Sequence, residues 1–345
     1  METAIFGAGS MGTALGAYIS NAGVVVDMIT RNKAHVEALK KTGAKIGGTV
    51  SLSTAPFDGK DGRGLAMLPA EMKKNYDIII LLTKQLENAA IAELLKNSLS
   101  PGGVVCTLQN GIPEFGLEKM FGPERVLGAM TAWGAEKTSP GSVAITSEPG
   151  NWSFALGSLS GKAHPRMDDV RRLLEKMCTV ETPQNYIGAR WSKLLINAAF
   201  SGMSAVTGCN FGQVAADKRM RTCALYVIKE CIDVCRAAGI HIEPVQGKDI
   251  VRLLYFKNAL GKLKASIILP IAIKKHRLIK SSMLGDLDRG RPCEIDTING
   301  VVSDFGKTYN TSTPVNDRVI EIVHSIERGE RKYDPQNVGL FAKLW

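Results

Sequence analysis

Two short segments of this chain hold side chains suited to moving a proton next to a carbonyl group. In Trp191-Ser-Lys-Leu-Leu-Ile-Asn197, Lys193 and Asn197 stand four residues apart, so a helix projects both from one face. Their neighbours Leu194, Leu195, Ile196, Ala198 and Ala199 are apolar. An isolated lysine in such a run snorkels to solvent. One held in a cleft, its pKa drawn toward neutrality by partial burial, can give a proton to a carbonyl oxygen as hydride reaches the carbon. In the second segment, Ser281-Ser282-Met-Leu precedes Glu294-Ile-Asp296-Thr-Ile-Asn299-Gly300. Ser282 offers a hydroxyl to a substrate hydroxyl or carboxylate. Glu294 is expected to open a helix, where the dipole favours an acid; its plain structural reading is a first-turn or capping glutamate.

The N-terminus supplies a place for a hydride donor. Gly7-Ala8-Gly9-Ser10-Met11-Gly12 has the spacing G-x-G-x-x-G, after an apolar run and before a helical one. The first glycine allows a tight turn, the second lets backbone approach a pyrophosphate, and the third lets helix and strand pack closely. The helix start then offers unpaired N–H groups to the phosphates. The end of the next strand selects the cofactor. Asp27 lies twenty residues after Gly7, but the strand is expected to run on to Thr30, followed by Arg31. Thr30 removes the acid that would hold a ribose hydroxyl, and the Arg31 guanidinium can grip a 2′-phosphate. The expectation is therefore NADP(H), with Asp27 a strand residue. Lys84 and Asn110 follow two further apolar strands directly, at the strand ends where ligands bind in such sheets.

The elements that must position these residues divide the chain in two. Over 1–182, strands expected at 3–6, 24–30, 77–83 and 103–108 alternate with helices at 11–21, 34–41 and 87–97; runs at 126–133, 143–146 and 152–156 add a β-rich tail. The stretch Asp77-Ile-Ile-Ile-Leu-Leu-Thr83 is apolar without alternation, as a parallel strand buried on both faces would be. Asp58–Gly64 is expected to be a flexible surface loop. Over 183–345, helical spacing dominates at 184–206, 220–238, 244–260, 294–309 and 314–328, with Gly239 after a helix end and Pro314 at a helix start. The fold class expected is α/β, an N-terminal Rossmann-type doubly wound sheet followed by an all-helical C-terminal domain.

Composition narrows the function classes. No run of eighteen apolar residues predicts a membrane span, and the first apolar run enters the glycine motif directly, unlike a signal peptide. The net charge of +10 is spread without a nucleic-acid-binding motif, and fits attraction of anionic small molecules. Its densest cluster, Lys274, Lys275, His276, Arg277 and Lys280, reads as a solvated helix end. The seven cysteines form no C-x-x-C pair and suggest a reducing compartment, the cytoplasm; Cys231 and Cys235 read as a buried apolar pair. The five histidines lack metal-ligand spacing.

Taken together, GAGSMG, Arg31, Lys84 after DIIILLT, LQNG around Asn110, WSKLLIN around Lys193 and SSMLGDLDRGRPCEIDTING resemble, in order and over almost the whole length, the ketopantoate reductase (2-dehydropantoate 2-reductase) family. The resemblance implies NADPH-dependent reduction of ketopantoate to (R)-pantoate, in pantothenate and coenzyme A biosynthesis. It implies Lys193 as general acid and Glu294 as the acid positioning lysine and substrate. It also implies Asn110, Asn197 and Ser282 as substrate contacts, Arg31 as reader of the 2′-phosphate and Lys84 as a lysine lining the cofactor cleft. Many members carry a second asparagine one turn after Asn197; here Ser201 stands there and reaches less far. Alternatives are reduction of another branched or aromatic 2-oxo acid, and a dinucleotide-sensing protein without catalysis. A homodimer is compatible with a helical second domain.

Overall fold

A computed structural model describes all residues except Gln246 and Trp345. The chain forms two compact units, Met1–Tyr186 and Ile187–Trp345. Unit 1 contains twelve strands: β1 (Thr3–Phe6), β2 (Asp27–Ile29), β3 (Lys45–Gly48), β4 (Leu52–Ser53), β5 (Ala66–Met67), β6 (Tyr76–Leu81), β7 (Leu99–Thr107), β8 (Val126–Thr131), β9 (Ala135–Ser139), β10 (Ser142–Ile145), β11 (Ser153–Gly157) and β12 (Thr179–Glu181). Between them lie α1 (Ser10–Asn21), α2 (Lys33–Thr42), α3 (Asn88–Asn97), α4 (Glu114–Phe121) and α5 (Met167–Leu174).

Eight strands form one sheet in the order β12-β11-β8-β7-β6-β1-β2-β5. The pairs from β5 through β8 are all parallel, and β11 joins β8 antiparallel. The alternation along β6 explains its unbroken apolar sequence. Ile78 and Ile80 enter the core on one face, while Ile79 and Leu81 enter the core on the other. The expected β-rich tail is not one body. β8 and β11 extend the main sheet, whereas β9 and β10 join β3 and β4 in a separate four-stranded sheet, β4-β3-β10-β9. The loop 58–64 is not loose either. An Asp58–Leu65 bridge closes it, and a Cβ on Gly64 would fall 1.8 Å from the Val26 carbonyl oxygen.

Unit 2 is helical: α6 (Tyr186–Ile196, its first residue in unit 1), a π-turn (Asn197–Ser201), α7 (Gly202–Thr207), α8 (Phe211–Ala216), α9 (Lys218–Ala237), α10 (Ile250–Leu254), α11 (Ala259–Ala272), α12 (Ser282–Leu287), α13 (Ile295–Thr308) and α14 (Pro314–Glu327). α9 packs against α8, α11, α13 and α14, and Cys231 and Cys235 are buried on it. All seven cysteines are thiols. Gly239 takes a left-handed φ of +69° just past α9, and Pro314 opens α14. The helix expected over 244–260 is only the short α10, followed by a break; Asn258 then caps α11 through its side chain. Gln246, within that stretch, lies outside the described residues. Among the described residues no helix is long and apolar enough to cross a membrane.

Two buried titratable groups fasten distant parts of these units. His35 on α2 accepts from the Gly141 N–H through Nδ1 (2.9 Å), so its proton is on Nε2, facing Thr13 Oγ1 at 2.9 Å. The Thr13 hydroxyl in turn reaches the Ala8 carbonyl (3.4 Å). Burial, with help from Lys137, lowers the His35 pKa to about 4. In unit 2, Glu230 on α9 accepts from the Val315 and Asn316 N–H groups (2.8 and 2.9 Å) and caps α14 from outside. Burial pushes its carboxyl up to about 7, against those donors.

These shifts act with opposite signs. Between pH 6.5 and about 4 the unfolded chain binds a proton that folded His35 refuses, so unit 1 loses stability as pH falls through that window. Between pH 4.5 and about 7 folded Glu230 keeps a proton that the unfolded chain releases, so unit 2 loses stability as pH rises through it. Hydrogen exchange at pH 5 and 7.5, with peptides of each unit read separately, tests this. His35→Gln should flatten the pH response of unit 1 and Glu230→Gln that of unit 2, each by roughly 3–5 °C in equivalent Tm. Identical slopes in wild type and variants would refute the assignment.

Candidate active site

The loops after β1, β2, β6 and β7 leave one edge of the parallel sheet, and the nucleotide-site candidates of unit 1 occupy those loops. After β1, Gly7 takes φ +100°, and the Gly7 and Ala8 N–H groups both donate to the Ile29 carbonyl (2.9 and 2.8 Å). A Cβ on Gly7 would lie 2.5 Å from the Thr83 nitrogen, and one on Gly12 2.5 Å from the Gly7 oxygen. The protein's own packing therefore demands both glycines. Gly9 is different. Its Cβ would meet no protein atom closer than 3.9 Å, so nothing in the chain requires glycine there. The space a Cβ would fill borders the start of α1, whose first turn, Ser10-Met11-Gly12, carries no acid and has no side-chain cap. An exposed, uncapped helix start beside open space is the cradle a pyrophosphate requires. Gly9→Ala is accordingly expected to keep wild-type Tm while losing at least tenfold in dinucleotide affinity by fluorescence titration. Gly12→Ala should lower Tm itself. Equal Tm losses in both would deny Gly9 its role.

The strand end that chooses the ribose carries no acid aimed outward. Asp27 is buried, with Oδ1 accepting from Leu65 N–H (2.7 Å) and Oδ2 from the Tyr76 hydroxyl (2.9 Å); Lys74 lies 3.3 Å from Oδ2. It is committed to joining β2, β5 and β6. β2 ends at Ile29, one residue short of the expected end, so Thr30 and Arg31 both lie in the loop. The Arg31 side chain is exposed and forms an ion pair with Glu87, at the start of α3. Glu87 had no sequence signal pointing to it: its partner is 56 residues away. The residues present thus fit a nicotinamide dinucleotide, with one exposed cation, Arg31, in the loop after β2.

After β6 and β7 the shelf is built by amides. Gln109 is buried; its Nε2 donates to the Thr83 carbonyl (2.9 Å) and to Asn88 Oδ1 (2.7 Å), while its Oε1 accepts from Asn88 Nδ2 (3.1 Å). This pair locks the loop carrying Lys84 to the loop carrying Asn110. Asn110 is half-buried, its carbonyl held by Gln85 Nε2, and Gly111 turns the chain at φ +77°. Sequence reading stopped at Asn110 and missed Gln109, whose role depends on Asn88.

In unit 2, α6 is buried along Trp191, Ser192, Leu194 and Leu195, while Lys193, Ile196 and Asn197 are half-exposed. The helix expected to continue unbroken to Val206 instead widens into the π-turn Asn197–Ser201, leaving Asn197 and Ser201 at its two ends. Such turns insert one residue into the ladder and recur at functional sites. α13 braces it: Asn299 Nδ2 donates to the Ala198 carbonyl (3.1 Å) and to Asn316 Oδ1 (3.0 Å), and Asn316 Nδ2 donates to Glu230 (2.7 Å). Gly202 is required because a Cβ would come within 2.9 Å of Asn299 and Val319. Trp191 meets Phe305 edge-on at 5.1 Å, fixing α6 against the same helix.

The serine pair separates into two roles. Ser281 caps α12, accepting from Leu284 N–H (3.0 Å), while Ser282 is exposed at its first position. Glu294 is the buried residue before α13, and its carboxylate does not cap that helix. The capping explanation for this acid therefore fails, which leaves its carboxylate to another partner.

The chain matches the family described as "Ketopantoate reductase PanE/ApbA" over residues 3–159 and its "C terminal" counterpart over residues 185–327. A 2-dehydropantoate 2-reductase of Mesorhizobium japonicum is 28% identical, over 95% of this chain and 99% of that protein. One of Archaeoglobus fulgidus is 26% identical, over 94% and 97%. Among solved structures, a PanE/ApbA family ketopantoate reductase from Ralstonia eutropha JMP134 superposes with TM-score 0.78 at 23% identity, covering 96% of this chain and 99% of that one. A D-mandelate dehydrogenase with NADH and anilino(oxo)acetate superposes with TM-score 0.77 at 22% identity, over 95% and 99%. At these identities the two structures establish the shared fold.

Proposed function

Because the chain belongs to the ketopantoate reductase PanE/ApbA family, and is thus an oxidoreductase acting on a CH–OH group, we propose that it reduces 2-dehydropantoate to (R)-pantoate with NADPH. The observation that carries the reading is the half-exposed pair Lys193 and Asn197, set one helical turn apart among the buried Trp191, Ser192, Leu194 and Leu195 and next to a braced π-turn. Bound NADPH supplies the hydride to the carbonyl carbon. Gly9 and the start of α1 receive the pyrophosphate, Arg31 the 2′-phosphate, and Lys84 and Asn110 the groups that follow. The Lys193 ammonium donates a hydrogen bond to the ketone oxygen and passes its proton there as negative charge develops, then recovers one from water. Its charge is worth most at that moment, since the ketone is neutral and the nascent alkoxide is not. Asn197 and Ser282 orient the substrate's hydroxyl and carboxylate, and Glu294 holds the lysine and substrate in place. The thiol state of all seven cysteines fits a reducing compartment, the cytoplasm.

The test is NADPH oxidation with ketopantoate, 2-oxoisovalerate and benzoylformate. The highest kcat/KM on ketopantoate is expected, and no turnover of any 2-oxo acid despite tight NADPH binding would replace the reading with a sensor. One residue favours a second reading, another branched or aromatic 2-oxo acid. Ser201 is buried and one bond shorter than the asparagine many relatives are expected to carry. Ser201→Asn should raise kcat/KM on ketopantoate about 5- to 10-fold, the worth of one hydrogen bond to substrate. A loss on ketopantoate with wild-type preference for benzoylformate would favour the second reading.

A further inference from the structure

The end of α14 grips the chain on both sides of Glu294. One residue before it, the Cys293 N–H donates to Glu327 Oε1 (2.8 Å). Two residues after it, Asp296 Oδ1 lies 2.9 Å from His324 Nε2. The same ring holds the other carboxylate, with His324 Nδ1 2.9 Å from Glu327 Oε2. Cys293 and Glu294 are buried, and the side chains of His324 and Glu327 are only 33% and 16% exposed. Thr297 Oγ1 donates to the Glu294 carbonyl (3.2 Å) and tightens the same turn.

The two ring contacts set the charge of the imidazole. An ionised carboxylate only accepts, and a neutral imidazole has a single N–H. Both nitrogens meet carboxylate oxygens, so the bridge is complete only when the ring carries two protons. Partial burial opposes that charge, but the bonds to Glu327 and Asp296 outweigh it and raise the His324 pKa above the ordinary 6.5. His324 also stands in the last turn of α14, where the helix dipole favours a cation. Asp296 on α13 and Glu327 on α14 are the carboxylates that face the ring. Before α13, the Cys293 thiol bonds Glu327, its pKa pushed up by burial, with Glu327 and Asp286 of α12 adding to the shift. Arg318 and Arg328 on α14 pair with Glu321 and Glu330. Glu230 on α9 is bound at the far end of α14, to the Val315 and Asn316 N–H groups.

We propose that His324 is a positioning residue for the reductase: its doubly protonated ring ties Asp296 to Glu327, fixes the backbone on either side of Glu294, and so holds that acid's carboxylate for Lys193 and the substrate. The proposal rests on the role given to Glu294 above. A ring that has lost one proton donates to one carboxylate only, and either the Cys293 side or the Asp296 side of Glu294 is released. The bridge is whole below pH 6.5 and is lost as pH rises through the raised pKa of His324.

The experiment follows kcat from about pH 6 to about pH 9 on the best 2-oxo acid, and hydrogen exchange of 293–299 over the same range without substrate, in wild type, His324→Arg and His324→Gln. Lys193 must be protonated too, so wild type loses activity on the alkaline side for two reasons, and the variants separate them. Arginine keeps its proton and forks to two carboxylates. His324→Arg should therefore match wild-type kcat at about pH 6, retain at least threefold more of it at about pH 9, and protect 293–299 independently of pH. His324→Gln should lose about tenfold in kcat at about pH 6, the order expected of a slightly misplaced catalytic group, and exchange at 293–299 as fast as wild type does at about pH 9. Should the His324 variants misfold, Asp296→Asn, at an exposed position, should move the wild-type loss of protection to lower pH; an unshifted loss would overturn the proposal. So would wild-type pH profiles in both His324 variants, or protection of 293–299 that ignores pH in wild type. A chain that turns over no 2-oxo acid would overturn the proposed function and the positioning role with it; pH-dependent protection of 293–299 in that same chain would place the failure in the reaction and not in the bridge.

Discussion

Replacing Lys193 by alanine is expected to lower kcat by about 10²- to 10⁴-fold, the range for loss of a positioned proton donor, while the dissociation constant of NADPH changes less than about threefold. The asymmetry follows from where the charge acts. The residues proposed to hold the nucleotide, Gly9, Arg31 and Lys84, belong to unit 1, and Lys193 belongs to unit 2. The lysine's stabilisation grows as the ketone oxygen becomes an alkoxide, so the loss falls on the transition state rather than on the ground state. Lys193→Arg should not rescue, because a guanidinium keeps its proton at every accessible pH. Stopped-flow single turnover gives the chemical step and fluorescence quenching the affinity. Equal losses in kcat and NADPH affinity would remove Lys193 from the chemistry and leave it a structural residue.

Replacing Arg31 by alanine is expected to weaken NADPH about 10- to 100-fold, as loss of a charge-assisted bond to phosphate would, with NADH affinity changed by less than about twofold. Glu87 makes the effect larger than a simple deletion. It is ion-paired with Arg31, and in Arg31→Ala it becomes an uncompensated carboxylate beside the proposed position of the 2′-phosphate. Glu87→Gln should act in the opposite direction and tighten NADPH a few-fold, with the double variant falling between. Calorimetric titration with both nucleotides decides it. Parallel losses for NADPH and NADH would move the 2′-phosphate elsewhere.

The parts of this molecule legible in its sequence are those whose cause is local. Gly7, Gly9 and Gly12 announce a strand-to-helix turn, and Asp77–Thr83 announces a strand buried on both faces, because each pattern is complete within a few residues. β4 and β5 escaped because two residues each cannot show a period. β3, Lys-Ile-Gly-Gly, lacks an apolar alternation. The π-turn escaped because its sequence suits a helix, and the residues that brace it, Asn299 and Gly202, act across elements. His35 and Glu230 were invisible for the same reason: they serve partners 106 and 85 residues away. Glu294 and Ser282 were legible as candidates through a motif, but only the structure separated capping Ser281 from exposed Ser282 and freed Glu294 from a capping role.

The three glycines of the first loop also carry a historical consequence. Gly7 and Gly12 answer to atoms of the chain, whereas no atom of the chain asks for Gly9, the position proposed to face the pyrophosphate. A descendant that abandoned its nucleotide would go on needing the first and third to fold, and nothing would hold the second. Drift at this one position, with its two neighbours intact, would date the loss of the cofactor in any lineage before the rest of the domain had changed.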